Sequence, residues 1–262
     1  MPGKGGRLEG KVAVVVGAGS SGPGIGNGKA ISVLFAREGA HVLLVDSAAE
    51  RANETLGIIK GENGEASVFE ADATIALDCE SAINTAADRY GQINILVNIV
   101  GILRRDTVVE VTEEDWDLTM NVNVKSIMLT SKFAVPKMID AGGGSIINMS
   151  SIAGMRAYNT TPYTTSKAAI IGLTMSMAAD HGRDNIRVNC IAPGPLYTPM
   201  VASIMTKERR EQRKNSNLLG TEGTAWDVAW AAVYLASEES RWVTGTILPV
   251  DAGVTAATPD LI

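Results

Sequence analysis

Cysteine and histidine are scarce in this chain of 262 residues, which has two of each. Cys79 and Cys190 are far apart in sequence and match no metal-ligand spacing, so we expect buried free thiols in a reducing compartment. His41 opens an apolar run and His181 follows a long helical pattern, which favours structural positions for both. Zinc chemistry or a histidine-based hydrolysis would have few residues to use, and the sequence predicts no metal site.

Long apolar runs and clustered basic residues are also missing. No stretch reaches the ~18 apolar residues of a membrane span, and residues 1–10 are polar and glycine-rich, unlike a signal peptide. The net charge is −6, and since phosphate backbones attract clustered cations, nucleic acid is not an expected partner. The sequence therefore predicts a cytoplasmic protein that acts on a small molecule and has no membrane partner.

Short apolar runs that alternate with helical patterns are plentiful. The runs contain little polar alternation, which is typical of parallel strands buried on both faces. They lie at residues 11–16, 41–45, 66–70, 93–98, 145–149, 186–191 and 246–250. Helices are predicted at about 26–38, 48–60, 75–90, 112–140, 162–181 and 224–237. This order predicts an α/β fold, a single-domain Rossmann-type doubly wound parallel sheet with helices on both faces, over residues 1–262.

A glycine-rich segment, residues 14–26, joins the first predicted strand to the first helix. Its glycines allow a sharp turn and a close approach to a pyrophosphate, and the helix N-terminus offers free amides to the phosphates. Asp46 ends the second strand, where a carboxylate can accept hydrogen bonds from the adenosine ribose and would repel the 2′-phosphate of NADP. No cation stands at Ser47 or Ala48 to hold that phosphate. The pattern favours NAD over NADP, although a flexible loop and a turn residue at Asp46 are the alternative interpretation.

Tyr163 and Lys167 are spaced i, i+4 at the start of a predicted helix, so both side chains can reach the same cleft. An ammonium beside a phenol lowers the phenol's pKa toward the working pH, which makes Tyr163 a candidate general acid or base. Ser150 and Ser151 end the preceding strand, and a hydroxyl there can orient a substrate oxygen. A Tyr-x-x-x-Lys pair also occurs by chance on solvated helix faces. The serines at the end of the preceding strand and the glycine-rich segment upstream make a functional pair the favoured interpretation here.

Together these motifs resemble the single-domain branch, of about 250 residues, of the short-chain dehydrogenase/reductase family. Gly17, Gly24 and Gly26 look like the family's Thr-Gly-x-x-x-Gly-x-Gly motif, although Val16 replaces the Thr and the loop is about three residues longer. Other matched segments are 98–101 (Asn-Asn-Ala-Gly in the family), 120–125 (catalytic Asn), 144–154 (active-site Ser), 193–200 (nicotinamide-side loop) and 243–251 (last strand).

The resemblance implies four catalytic residues. Tyr163 would transfer the proton, Lys167 would lower the pKa of Tyr163 and hydrogen-bond the nicotinamide ribose, and Asn123 would hold a water in a proton relay. Ser151 is chosen as the active-site serine because it precedes Ile-Ala-Gly, and Ser150 remains open. Asp72 would contact the adenine. The implied cofactor contacts are Gly17, Ser21, Gly24, Ile25, Gly26, Asp46, Asp72, Ala73, Asn98, Val100, Gly101, Tyr163, Lys167, Pro193, Gly194, Leu196 and Thr198.

The family resemblance implies an NAD(H)-dependent oxidoreductase that interconverts a secondary alcohol and a ketone. It also implies a homotetramer formed through the two long helices. A non-catalytic NAD-binding or scaffold protein on the same fold is the alternative. Reduction of an enoyl double bond is disfavoured, because family members with that chemistry usually space their Tyr and Lys more widely.

The sequence says less about the substrate. Residues 193–221 form the longest connection and predict a substrate lid. Its apolar members are Leu196, Tyr197, Met200, Val201, Ile204 and Met205. The charged run 207–214 either meets an anionic substrate or carrier such as coenzyme A, or forms the solvated face of a short helix. We also expect Arg104, Met155, Arg156, Tyr158 and Asn159 near the substrate pocket.

Overall fold

Seven parallel strands form one sheet in the computed structural model, which describes residues 6–202 and 205–257. The strands are β1 (Val12–Val16), β2 (His41–Asp46), β3 (Ala66–Glu70), β4 (Ile95–Asn98), β5 (Gly144–Met149), β6 (Ile186–Pro193) and β7 (Ile247–Val250). Their spatial order is β3-β2-β1-β4-β5-β6-β7. The order reverses between β1 and β4, and the crevice at the carboxyl ends of such strands is where doubly wound sheets bind ligands.

Helices connect the strands on both faces of the sheet. They are α1 (Asn27–Arg37), α2 (Ala49–Gly61), α3 (Ala76–Tyr90), α4 (Glu113–Met120), α5 (Ser126–Asp140), α6 (Thr161–His181), α7 (Pro199–Ala202), α8 (Lys207–Asn215) and α9 (Ala225–Ala236). Single 3₁₀ turns lie at Ile152–Gly154, Gly182–Asp184 and Glu238–Ser240. No helix in the described part of the chain combines the length and apolarity needed to cross a membrane.

Two hydrophobic clusters cover the sheet, one on each face. In β1, Ala13 and Val15 join the cluster with α1, α2 and α9, whereas Val14 and Val16 join the cluster with α3, α5 and α6. This division follows from the alternation of side chains along a strand. Because both faces are covered, all five residues of β1 are buried. The predicted α/β doubly wound fold is confirmed, and Cys79 and Cys190 are buried free thiols as predicted.

The helix predicted over 112–140 is helical throughout Glu113–Asp140, but it contains a π-helical turn that the prediction did not include. Thr112 caps α4 by accepting a hydrogen bond from the amide of Asp115 at 3.1 Å. A π-helical turn, Asn121–Lys125, then separates α4 from α5. One wide turn leaves the apolar periodicity on either side nearly unchanged, so the sequence pattern does not reveal it. The turn contains Asn123, which is fully buried.

Gly28 lies in the first turn of α1, directly against the end of β1. A Cβ at this position would come within 1.8 Å of the Gly17 carbonyl oxygen. Gly28→Ala should therefore lower the free energy of unfolding by about 1–3 kcal/mol through overpacking. Gly57→Ala is the matched control, because Gly57 is exposed in α2 with nothing within 4 Å of its added Cβ. There the change should raise the free energy of unfolding by up to ~1 kcal/mol. Equal stability of the two variants in urea would contradict the close packing of α1 on β1.

Candidate active site

A cavity of about 880 Å³ opens at the carboxyl ends of the strands, where the strand order reverses. Its wall includes the residues that follow β1, β2, β3, β4, β5 and β6. The volume lies in the range of ligand and cofactor sites, about 300–1,000 Å³. The sheet therefore brings the predicted cofactor and catalytic motifs, which are distant in sequence, to one cavity.

The glycine loop turns sharply from β1 toward α1. Gly17 has a left-handed φ of 92°, and its amide donates to the Val45 carbonyl at 2.8 Å. Gly26 lies at the N-cap of α1, and its amide donates to the Ser20 hydroxyl at 2.8 Å. Of the predicted loop contacts, Gly17, Ser21 and Gly26 line the cavity. The first turn of α1 therefore faces the cavity, as a phosphate-binding helix must.

Gly24 and Ile25 were predicted to contact the cofactor, but neither residue lines the cavity. The wall includes Asn27 and Gly28 instead. A Cβ on Gly24 would lie 3.5 Å from the ring of Pro199, at the start of α7. Gly28, two positions after Gly26, is the glycine that packs against the end of β1. The Gly-Asn-Gly spacing at 26–28 is the signal in the sequence that could have located it.

Asp46 ends β2 at the cavity and holds the glycine loop. One carboxylate oxygen accepts from the amide of Gly19 at 2.9 Å, and the other accepts from the amide of Ala48 at 3.1 Å. Arg51, in the first turn of α2, also lines this end of the cavity, and sequence reasoning missed it. Arg51 lies in the first turn of α2, beyond Ser47 and Ala48, the two positions at which a phosphate-binding cation would be expected from the sequence.

The segment after β3 forms the neighbouring part of the wall. Asp72 and Ala73 both line the cavity, as predicted for the adenine end. One carboxylate oxygen of Asp72 accepts from the amide of Thr74 at 2.8 Å and from its hydroxyl at 2.7 Å. These bonds fix the direction of the carboxylate at the cavity edge.

Asn98 occupies a buried polar network behind the cavity. Its side chain donates to Asn148 at 3.0 Å and accepts from Thr130 at 2.7 Å, and Asn148 donates to Thr174 at 3.0 Å. The network ties β4 and β5 to α5 and α6. The prediction that Asn98 contacts the cofactor therefore differs from the cavity wall, which contains Val100 and Gly101 but not Asn98.

Asn123 is held by both ends of its side-chain amide. Its oxygen accepts from the Ile102 amide at 2.8 Å, and its nitrogen donates to the Ile102 carbonyl at 3.1 Å and to Ser166 at 2.9 Å. A Cβ on Gly101 would lie 3.3 Å from both the Asn123 oxygen and the Lys167 Nζ. The site thus depends on close packing of these three residues. Asn123 lies behind the cavity wall, whereas its neighbours Asn121 and Val122 form part of it.

Ser151, Tyr163 and Lys167 meet at the centre of the cavity wall. The Lys167 Nζ donates to the Met149 carbonyl at 3.0 Å and lies 5.7 Å from the centre of the Tyr163 ring. The Ser151 hydroxyl accepts from the Ala153 amide at 3.1 Å and lies close enough to the Tyr163 hydroxyl to influence its pKa. The Ser150 hydroxyl instead donates to the Lys167 carbonyl at 2.7 Å. The two serines therefore have different roles: one faces the phenol and the other holds the helix.

Burial dominates the protonation of these groups. Burial raises the pKa of Tyr163 above its ordinary value, and the hydrogen bond from Ser151 offsets part of that rise. Burial lowers the pKa of Lys167 to about 8. That Lys167 lowers the pKa of Tyr163 stays a prediction, because burial outweighs the other influences on the phenol in this structure. The ammonium is itself desolvated and donates to Met149 rather than to the phenol, so the neutral phenol is the form at pH 7.

The predicted nicotinamide-side residues, Pro193, Gly194, Leu196 and Thr198, all line the cavity. The lid beyond them contributes Met200, Val201 and Arg213, and the segment before α6 contributes Tyr158 and Asn159. Tyr197 instead packs under Arg210, whose guanidinium lies 3.8 Å from the ring centre. Ile204 lies outside the described residues.

Two arginines expected near the substrate pocket are engaged elsewhere. Arg104 pairs with Asp115 at 2.9 Å, and Arg156 donates to the Val254 carbonyl at 3.2 Å. Neither lines the cavity, and Met155 is also absent from its wall. Arg105, the next residue along the chain, lines the cavity instead.

Known proteins resemble the chain over nearly its whole length. A family model described as enoyl-(acyl carrier protein) reductase matches residues 22–255. The 3-oxoacyl-(acyl-carrier-protein) reductase FabG of Thermotoga maritima is 37% identical, over 95% of this chain and 99% of its own. Dehydrogenase/reductase SDR family member 6 of Aquarana catesbeiana is 40% identical, over 95% of this chain and 98% of its own.

Solved structures agree in fold as well as in sequence. A short-chain dehydrogenase/reductase from Burkholderia xenovorans has a TM-score of 0.91 and 37% identity, over 96% of this chain and 99% of its own. A 7α-hydroxysteroid dehydrogenase complexed with NADH and 7-oxo glycochenodeoxycholic acid has a TM-score of 0.89 and 34% identity, over 94% of this chain and 95% of its own. On this similarity, and with the serine, tyrosine and lysine assembled at one cavity, the chain belongs to the short-chain dehydrogenase/reductase family of oxidoreductases.

Proposed function

We propose that the protein is an NAD(H)-dependent oxidoreductase that interconverts a secondary alcohol and a ketone. The observation that carries the proposal is the convergence of Ser151, Tyr163 and the buried Lys167 on one cavity wall, with the Lys167 Nζ 5.7 Å from the centre of the Tyr163 ring. These groups face the same cavity as the glycine loop. The family comparison supports a nicotinamide-dependent hydride transfer, and the geometry supports an oxygen-bearing carbon as its substrate.

The cavity fits a dinucleotide at its glycine-loop end. Gly28 allows α1 to pack against β1, which aims the first amides of the helix at the cavity. Asn27 lines the cavity there, and its side-chain oxygen is buried without a hydrogen-bond partner among the described residues. Gly17, Ser21, Gly26, Asp72, Val100 and Gly194 would hold the cofactor along the wall. NAD, when bound, supplies the acceptor or donor of the hydride.

The chain's own residues manage the proton. In reduction, the neutral Tyr163 phenol donates its proton to the carbonyl oxygen of the substrate as the hydride reaches the carbon. Ser151 holds that oxygen by a hydrogen bond. Lys167 is mainly protonated below its pKa of about 8, and its positive charge stabilises the phenolate that remains. Oxidation is the reverse, with the phenolate accepting the hydroxyl proton. Asn123 keeps the wall beside Lys167 in place and, by resemblance to the family, supports proton exchange with solvent.

The proposed quaternary structure is a homotetramer. Met128 on α5 and Met175 on α6 are exposed apolar side chains on the helices that the resemblance implicates. Their exposure in the single chain supports burial against further copies, because apolar patches on a surface commonly mark interfaces.

Tyr163→Phe tests the reaction. Without the hydroxyl no proton reaches the substrate oxygen, so kcat should fall by about 10²–10⁴ with NADH binding retained. Turnover is followed at 340 nm with a panel of secondary alcohols and ketones, and NADH binding is followed by fluorescence. Tyr90→Phe is the control, because this tyrosine bonds Ser67 away from the cavity. Near-normal turnover by Tyr163→Phe would refute the proposal, and absence of turnover by the unmodified protein would favour the scaffold alternative.

Serine substitutions distinguish the two neighbouring hydroxyls. Ser151→Ala should lower kcat/KM about 10- to 100-fold, because the lost hydrogen bond holds the reacting oxygen. Ser150→Ala removes the bond to the Lys167 carbonyl and should mainly lower the free energy of unfolding, by about 1 kcal/mol. Each variant is measured for turnover and for urea unfolding. The opposite pattern would assign the active-site role to Ser150.

Asp46 should set the cofactor preference. The proposed preference for NAD rests on its carboxylate at the end of β2, and the NADH complex of the hydroxysteroid dehydrogenase agrees with it. Asp46→Asn keeps an acceptor for the loop amide but removes the charge that repels a 2′-phosphate. It should raise the ratio of kcat/KM for NADP to that for NAD at least tenfold, with Arg51 available to the phosphate. Adding Arg51→Ala to Asp46→Asn should reduce that gain, because it removes the cation available to the phosphate. Higher kcat/KM with NADP in the unmodified protein would contradict the preference.

A further inference from the structure

Two arginines lie at the lid end of the cavity. Arg105 follows β4, and Arg213 lies on α8 in the lid. Both line the same cavity as Ser151 and Tyr163. The established chemistry of the site does not require either one, since proton transfer and cofactor binding use other residues.

Arg213 differs from its neighbours on α8. Arg209 and Arg210 are exposed, whereas Arg213 is half-buried and donates from one guanidinium nitrogen to the Leu196 carbonyl at 3.1 Å. Leu196 belongs to the cavity wall, so this bond anchors the guanidinium against the substrate side of the site. The charged run 207–214 therefore has two parts: a solvated face, as one of the sequence interpretations held, and one arginine turned inward.

Among the described residues, the carboxylate near Arg213 is already paired with another arginine. Burial lowers its pKa, Tyr158 raises it, Arg105 lowers it and Glu222 raises it. Glu222 accepts hydrogen bonds from two guanidinium nitrogens of Arg210, so its carboxylate is already engaged. Within residues 6–202 and 205–257, no ion pair involves Arg105 or Arg213.

The charge along the cavity is divided. Asp46 and Asp72 are the acidic residues of the described wall, and both lie at the ends of β2 and β3, where the adenosine would bind. The lid end carries Arg105 and Arg213 and none of the acidic residues of the described wall, whereas Arg51 lies beside Asp46 at the adenosine end. Arg105 is exposed and Arg213 is half-buried, and a bound anion would offset the repulsion between their like charges. The planar fork of a guanidinium matches a carboxylate, which can accept two parallel hydrogen bonds.

From this arrangement, and resting on the proposed function, we propose that the substrate is a hydroxy or keto acid whose carboxylate binds Arg213 and Arg105. The carboxylate end lies under α8, and the carbon that reacts lies at Ser151 and Tyr163. The Tyr158 side chain, on the same wall, adds a hydroxyl donor beside the carboxylate.

Matched substrates test the proposal. The holoenzyme is assayed with NAD and a series of secondary hydroxy acids, with their methyl esters and with the corresponding hydroxyacyl coenzyme A thioesters. The unmodified protein should show a kcat/KM at least tenfold higher for one acid than for its ester. Arg213→Met and Arg105→Met should each reduce that acid-to-ester ratio at least tenfold, mainly by raising the KM of the acid. Arg213→Lys should recover part of the ratio because it restores the charge but not the fork.

Arg209→Met is the control variant, because Arg209 lies on the same helix with an exposed side chain outside the cavity. Its acid-to-ester ratio should equal that of the unmodified protein. An ester turned over as well as its acid would overturn the proposal while the proposed reaction stands. Turnover of a coenzyme A thioester alone would also overturn it, since the anion would then be a carrier phosphate.

Direct binding separates this proposal from the reaction itself. If no compound is turned over, the proposed function fails, and calorimetry with the same hydroxy acids in the presence of NADH still measures the carboxylate site. Binding to the unmodified protein that is weakened at least tenfold in Arg213→Met supports the site. Equal binding to both proteins, or no binding to either, overturns it.

Discussion

The hydrogen bond between the buried side-chain amides of Asn98 and Asn148 joins the two strands from which the catalytic half of the site extends. Each amide reaches one further element: Thr130 on α5 bonds Asn98, and Thr174 on α6 bonds Asn148. A buried polar group without a partner is costly, so this network tolerates only one register of the two helices on the sheet. That register places the start of α6, with its tyrosine and lysine, at the cavity.

The buried ammonium of Lys167 lowers the stability of the folded chain. An ammonium that is almost fully buried, with a carbonyl rather than a carboxylate as its hydrogen-bond acceptor, destabilises the folded chain relative to a hydrated one. The lowered pKa, about 8, is the same effect expressed as proton affinity. The unfolded chain binds this proton more tightly than the folded chain does. The free energy of unfolding therefore rises as the pH increases from about 8 to the ordinary pKa of lysine. Below that pH range Lys167 carries its positive charge in the folded chain, and its burial lowers the free energy of unfolding.

The sequence predicted features that depend on neighbouring residues along the chain. Apolar runs located the strands within a few residues, and the i, i+4 spacing of Tyr163 and Lys167 identified their common cleft. Features that depend on distant packing escaped it. The π-helical turn at 121–125 preserves the helical pattern on both sides, and the Gly28 contact with Gly17 depends on how far the longer loop displaces α1. The inward turn of Arg213 is decided by the Leu196 carbonyl, across 17 residues, and not by its charged neighbours.

In the proposed reaction the cavity holds a cofactor and a substrate, and its charged residues differ between the two ends. Asp46 and Asp72, with Arg51 beside them, suit the hydroxyl-rich adenosine half of a dinucleotide. The other end carries Arg105 and Arg213 and none of the acidic residues of the described wall. In the proposed site, a negative group of the substrate would be attracted to these arginines, which would help to orient the reacting carbon toward Tyr163. The fold supplies Asp46 and Asp72 through its strand ends, whereas the lid supplies Arg213. Substitutions within α8 can therefore change the substrate without altering the proton-transfer machinery, which lies on the sheet and on α6.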